Sequence, residues 1–427
     1  MRLTKILIKN FKCFENETMD LHPRLNILMG NNGTGKTSLL EAFRILVGSL
    51  YLGFDKYKEK LEMPGIIKDD IRLKSISRNL EPQIPTSVWA SAAVDGAFMP
   101  SAERSGHSSE DYEISWSRSV ETLGGKTTIR DAKEMMTVSR SIQEAVRRGD
   151  DVDIPLVAYF STDRYKKERR DTDISKAGSR MRGYFNALDT TTNTKFFLDL
   201  YYTETLDELQ NGTSSPLLAA VNAAVRRCLD CQAMRYNLKS QELMMVYKDG
   251  DFLPFNLLSD GIRCTLAMVM EIAFRCYLLN PHLGEDAPAK TKGVVLVDEI
   301  DLHLHPSWQL HILNDLRAAF PEIQFIVTTH APLVISRIQD CNIYSISEHQ
   351  VYNFPNQNGR DANYILRQMD VPSMGQQSED LLKRYFGMID SGNGKSTEAT
   401  LLREQLQSLL GENHAELQRA DMLLSFF

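Results

Sequence analysis

The sequence predicts an α/β fold built on parallel buried strands, and three observations predict it. Residues 25 to 29 are a short apolar run of strand length, residues 38 to 46 carry helical spacing, and a glycine-rich loop joins them. Residues 292 to 297 read as a strand buried on both faces and end in Asp298 and Glu299. Residues 322 to 329 form a second such run and end in His330. Parallel strands of this kind place ligands beyond their carboxyl ends, so the loop, the acidic pair and the histidine should converge.

The loop is Gly30-Asn31-Asn32-Gly33-Thr34-Gly35-Lys36-Thr37, which matches G-x-x-x-x-G-K-[S/T] without a mismatch. Its glycines let the backbone curl its N–H groups around phosphate oxygens, and the helix that follows presents its positive end. Residues 30 to 37 and the adjacent Ser38 are therefore the expected phosphate-binding residues of a nucleotide site. Lys36 should reach the β- and γ-phosphates, and Thr37 should ligate Mg²⁺ together with Asp298. Glu299 is placed to polarise water as a general base, and His330 to reach the γ-phosphate.

With 427 residues, 42% hydrophobic and 25% charged, the composition is that of a soluble globular protein large enough for two or three domains. No apolar run approaches the 18 or so residues that cross a bilayer, and the alternating N-terminus lacks a secretory core, so a cytoplasmic protein without membrane association is expected. Cysteines at 13, 228, 231, 264, 276 and 341 fit buried thiols in a reducing compartment better than a disulfide framework. The net charge of −7 gives no global drive toward nucleic acid. Arg164, Lys166, Lys167, Arg169 and Arg170 form the densest basic run; it is either a solvated loop or a weak phosphate patch with Tyr165 available for stacking.

In chain order, residues 1 to 29 read as three strands that lead into the loop. From 51 to about 150 the pattern is mixed, with strand-like segments at 86 to 94 and 112 to 120, expected as an insertion with its own small sheet. A helix over 130 to 148, a strand over 154 to 160, helices over 194 to 210 and 215 to 229, and strands over 234 to 238 and 243 to 247 follow. Leu258-Ser259-Asp260-Gly261 then opens a long apolar helix, either a simple N-cap or an anion site. Residues 342 to 354 alternate like a hairpin, and the tail beyond 359 carries three helical segments. Gly392-Asn393-Gly394-Lys395-Ser396 lacks the first glycine of a phosphate loop, since 389 is Ile389, and is expected to be an inter-helix turn.

The opening Lys9-Asn10-Phe11-Lys12-Cys13-Phe14, the loop at 30 to 37, Leu258-Ser259-Asp260-Gly261, Asp298-Glu299 and Thr329-His330-Ala331-Pro332 occur in an order that resembles ABC-type ATPases of the RecF, Rad50 and SMC group, over residues 1 to about 342. The resemblance implies an α/β P-loop NTPase head, a mixed sheet core plus an antiparallel β subdomain, split into residues 1–50 and 231–342, with a small α/β insertion or lid at 51–230 and a hairpin with helical tail at 343–427. It implies ATP hydrolysis in which Ser259, Asp260 and Gly261 of a second copy close each site head to tail. Leu302-His303-Leu304-His305-Pro306 falls where the family crosses that interface, and His303 with His305 also has the form of a metal pair.

Three departures from the family pattern stand out. Asp260 and Ile262 occupy signature positions that usually differ, the usual glutamine after the first helix is represented only by the region of Asp69-Asp70-Ile71-Arg72, and no sustained heptads occur, which excludes long coiled-coil arms. Residues 341 to 427 hold no Asp-x-Asp, so a Toprim nuclease of the OLD type is not expected there. The compact layout resembles ATPases of bacterial anti-phage systems such as Septu, which implies an oligomeric switch acting on a separate nuclease subunit. A nucleotide-regulated scaffold, a RecF-like repair ATPase and a transporter subunit are the alternatives.

Overall fold

The computed structural model describes the chain except residues 56–60, 77–78, 99–110, 166–178, 192, 356, 361–363, 367–375, 412–413 and 426–427. The chain divides into two compact units, Met1–Gly359 and Arg360–Phe427. Most of the basic run at 164 to 170 lies outside the described residues.

The core of the first unit is a six-stranded mixed sheet. Its strands are β3 (Leu25–Met29), β8 (Leu156–Phe160), β12 (Gly293–Val297), β13 (Ile323–Thr329), β14 (Asn342–Ser347) and β15 (Gln350–Phe354). The order is β15-β14-β3-β13-β12-β8, and only the β14–β15 pair is antiparallel. Every residue of β3, β8, β12 and β13 is buried, which explains their largely apolar composition, and the buried polar residues Asn26, Gln324, Thr328 and Thr329 are hydrogen-bonded. Each buried Val, Leu or Ile side chain contributes roughly 1.5–3 kcal/mol. Helix α1 (Lys36–Gly48) follows β3 through the glycine loop and buries Leu39, Leu40, Phe43, Leu46 and Val47.

A second sheet is antiparallel, in the order β2-β1-β6-β7, from β1 (Arg2–Phe11), β2 (Phe14–Asp20), β6 (Thr86–Asp95) and β7 (Asp111–Val120). This corrects the expectation that the strands near 86 and 112 form a sheet of their own. Alternation marks a strand but not its partner, and the free edge of β1 takes β6 over almost its whole length. What the insertion keeps to itself is a two-stranded hairpin, β4 (Leu73–Ile76) with β5 (Asn79–Pro82). The buried amide of Gln324 on β13 ties the two sheets, accepting from Leu3 N–H and donating to Leu3 O, both at 2.8 Å.

Helices α2 (Lys133–Arg148), α3 (Thr194–Asn211) and α4 (Pro216–Cys228) stand close to their expected spans. Gly149 closes α2 with φ 79°, a left-handed turn that glycine adopts without strain. A small sheet of β9 (Ala233–Asn237), β10 (Glu242–Val246) and β11 (Phe252–Pro254) leads into the 20-residue helix α5 (Asp260–Leu279). Inside α5 the buried Arg275 bonds Glu271 at 2.6 Å and the carbonyls of Gly183 and Phe185 at 2.8 and 3.0 Å. Removing one member of a buried pair leaves the other charge uncompensated. Arg275→Met is therefore expected to destabilise the unit by about 3–5 kcal/mol, read from the midpoint of denaturant unfolding.

In the second unit α7 (Gln376–Asp390), α8 (Thr397–Leu410) and α9 (Ala415–Ser425) pack through Leu382, Tyr385, Ile389, Leu402, Leu406 and Leu417; α6 (Ile312–Ala319) belongs to the first unit. Residues 392 to 396 form the turn between α7 and α8, where the Ser396 hydroxyl caps α8 by accepting from Ala399 N–H at 3.2 Å.

Candidate functional site

Three strand ends build the site, because β3, β12 and β13 run parallel and finish on the same side of the sheet. Gly30 leaves β3 beneath the backbone of β14, where a side chain would stand 2.6 Å from Ile346 O. Gly35 has φ 111°, and a Cβ there would sit 2.7 Å from Cys13 Sγ and 2.8 Å from the Phe14 ring. The β1–β2 turn is thus packed directly on the loop, and only glycine admits it. Thr34 folds its hydroxyl onto Asn31 O at 2.9 Å, while Asn32 and Gly33 form the exposed crest.

Lys36 is buried, and its ammonium donates to Gly30 O at 2.7 Å and Asn31 O at 2.9 Å. Burial lowers its pKa from the usual lysine value, and the charges of Glu299, Asp298 and Asp301 oppose that shift. Thr37 Oγ1 donates to Asp298 Oδ2 at 3.0 Å. Two oxygens in adjacent octahedral positions about 2.1 Å from Mg²⁺ stand about 3 Å apart, so this pair fits the ion as two of its ligands.

The expected convergence is present, and its organiser is a residue that sequence reasoning missed. Thr328, the penultimate residue of β13, donates through Oγ1 to Asp298 Oδ1 at 2.6 Å and accepts from Glu299 N–H at 2.7 Å. Glu299 itself adopts φ 46°, uncommon for a residue with a Cβ, and such strain concentrates at functional positions. Asp301, also missed, is buried; it accepts from Thr329 Oγ1 at 2.6 Å and stands 3.3 Å from His330 Nδ1. Two threonines ahead of a histidine were visible in the sequence, but their partners lie 28 and 30 residues away, beyond the end of β12.

Ser259, Asp260 and Gly261 open α5. Ser259 is the N-cap of α5 without a side-chain capping bond, and Asp260 turns back to Arg263 at 2.5 Å. Among the described residues none of the three hydrogen-bonds to residues 30 to 38. Gly261 packs against the 302–306 segment, since a Cβ would stand 2.4 Å from His303 O. The region of Asp69 to Arg72 serves β1 instead: Asp70 O accepts from Lys12 N–H at 2.6 Å, and Ile71 bridges Phe11. Among the described residues no group of three or more His, Cys, Asp or Glu is arranged to hold a metal ion, and His305 bonds Ser307 at 2.9 Å.

A glycine loop on β3, an acidic pair on β12, a histidine on β13 and a helix-start motif on α5 define an ABC-type ATPase head of the RecF, Rad50 and SMC group. The family described as "AAA domain" matches residues 5–224, more than half of the chain, and the chain belongs to that family. The chain is 25% identical to the retron Vc95 probable ATPase of Vibrio cholerae serotype O1 biovar El Tor, over 92% of this chain and 84% of that protein. It is 26% identical to the retron Ec83 probable ATPase of Escherichia coli, over 98% of this chain and 85% of that protein. It is also 37% identical to a Septu protein PtuA of Bacillus mycoides (strain KBAB4), over 31% of this chain and 17% of that protein. No helix among the described residues is long and apolar enough to cross a membrane.

Proposed function

We propose that the chain binds and hydrolyses ATP as a head-to-tail pair and works as a switch on a separate effector. The continuous bonding Thr37–Asp298–Thr328–Glu299 carries this reading, because it links the cation ligands to the general base through one hydroxyl. Residues 30 to 38 bind the phosphates, with Lys36 spanning the β- and γ-groups. Mg²⁺ held by Thr37 and Asp298 supplies Lewis-acid neutralisation of the phosphate charge. Glu299 accepts a proton from the attacking water, and His330, held by Asp301, donates toward the γ-phosphate.

The motif at 259 to 261 completes the site of a second copy, since it opens α5 with Ser259 and Asp260 exposed and makes no hydrogen bond to its own loop among the described residues. ATP then joins two heads, and hydrolysis releases them. The retron and Septu relatives support a role in anti-phage defence, and the effector we propose for the switch is a separate nuclease subunit.

A second reading, a scaffold with little turnover, is favoured by Asp260, whose carboxylate stands at the helix start where phosphate would approach. Its pairing with Arg263 neutralises that charge, which supports the first reading. Light scattering with and without ATP, combined with a phosphate-release assay, tests both. Dimer mass with ATP and steady phosphate release are the expected results; a monomer in ATP overturns the pair, and a dimer without release supports the scaffold.

A further inference from the structure

The antiparallel sheet carries a buried arginine that the nucleotide site does not use. Arg118 on β7 is 4% exposed, and its Nη1 stands 3.5 Å from Ser49 Oγ at the far end of α1. Its Nε donates to Thr128 O at 2.8 Å, and its Nη2 makes no hydrogen bond among the described residues. No described carboxylate pairs with it. Glu121 accepts from the Ser119 hydroxyl at 2.7 Å, and Asp70 is taken by Ile67 N–H at 2.9 Å and by Lys12 at 3.4 Å. The carbonyl end of α1 favours a cation, yet Leu46 O there is taken by Trp116 Nε1 at 3.1 Å. Burial pushes the guanidinium's pKa down to about 10, so it stays charged at neutral pH. A buried charge without a counter-charge costs stability, and its retention asks for an anion.

Arg118 lines a cavity of about 540 Å³. Lys68 and Lys126, both exposed, line it too, and no described Asp or Glu does. The buried arginine thus lies at the inner end and the two lysines at the surface. Ile66, Ile67 and Ile71 add an apolar wall. Gly124 takes φ 76° in the turn after β7, where Gly125 N–H donates to Thr122 O at 2.9 Å. The Thr127 hydroxyl donates to Ile66 O at 3.1 Å and so ties the turn to the opposite wall. A guanidinium with a free N–H edge matches phosphate oxygens. Sites for small ligands occupy roughly 300–1,000 Å³, so the cavity has room for a phosphate together with an apolar group on the isoleucines.

We propose that this cavity binds a phosphate group, carried by a nucleoside monophosphate or free in solution, with Arg118 as its main ligand and Lys68 and Lys126 at its rim. The site is separate from the phosphate loop. Lys36 opens the 13-residue α1 and Ser49 caps its other end, about 20 Å away at the rise of an α-helix.

The test uses full-length Lys36→Ala, which weakens the loop as a competing phosphate site, and calorimetric titration at fixed ionic strength with inorganic phosphate and, separately, with AMP. Saturable binding of at least one is the expected result. AMP tighter than phosphate identifies a nucleotide as the occupant, and phosphate at least as tight identifies the free ion. Arg118→Met is expected to raise the dissociation constant by roughly tenfold to a hundredfold, and the exposed charge reversal Lys126→Glu to raise it about threefold or more. If neither ligand saturates, or if both variants bind as tightly as their parent, the site is overturned. Should Arg118→Met fail to fold, Lys126→Glu and Lys68→Glu decide in its place, and unchanged affinity in both overturns the site.

Discussion

Glu299→Gln is expected to lower phosphate release by roughly 10²–10⁴-fold, the usual worth of a positioned general base, while nucleotide binding persists. The amide keeps the shape of the side chain and the bond from residue 299 N–H to Thr328 Oγ1, so the local backbone is retained. It removes only the carboxylate proposed to take the proton. Because the phosphates, the cation ligands and the loop are unchanged, ATP should remain bound and hold the pair together. Single-turnover phosphate release and light scattering read the two halves of this result. Release at the wild-type rate would move the base to another residue, and Asp301, buried and bonded to Thr329, would be next to examine.

Lys36→Ala should act on the other parameter. The ammonium is the one cation held inside the loop by Gly30 O and Asn31 O, and three carboxylates influence its charge. A hydrogen bond to a charged group is worth about 1.5–3 kcal/mol, so ATP affinity should fall by roughly tenfold to a hundredfold. Titration with a fluorescent ATP analogue measures it. Unchanged affinity would show that the loop backbone alone carries the phosphates. The two variants therefore separate binding from chemistry: the lysine mutant should be monomeric in ATP, and the glutamine mutant trapped as a pair.

Much of the site was legible from residue types and spacing. The loop at 30 to 37 has a backbone requirement that only glycines meet, and the runs before Asp298 and His330 could only be buried strands. Thr328 and Asp301 were illegible because a threonine or an aspartate near a strand end has many uses. Only the pairing of β12 with β13 in register, with Val297 opposite Val327, aims one hydroxyl at both acidic residues.

The sheet near 86 and 112 shows the same division. Alternating residues specify a strand with one buried face, but the hydrogen-bonding edge carries no side-chain signature. The match to β1 emerges only when the chain is folded.

The sequence by itself determined a nucleotide loop, an acidic pair and a histidine at strand ends, and a mixed α/β core, because these depend on local backbone freedom and hydrophobic pattern. The tertiary structure alone decided which strands are neighbours, that Thr328 joins Thr37, Asp298 and Glu299 into one bonded chain, and that Ser259 to Gly261 make no hydrogen bond to residues 30 to 38 among the described residues. Those are relations between residues far apart in the chain, and packing of the sheets sets them.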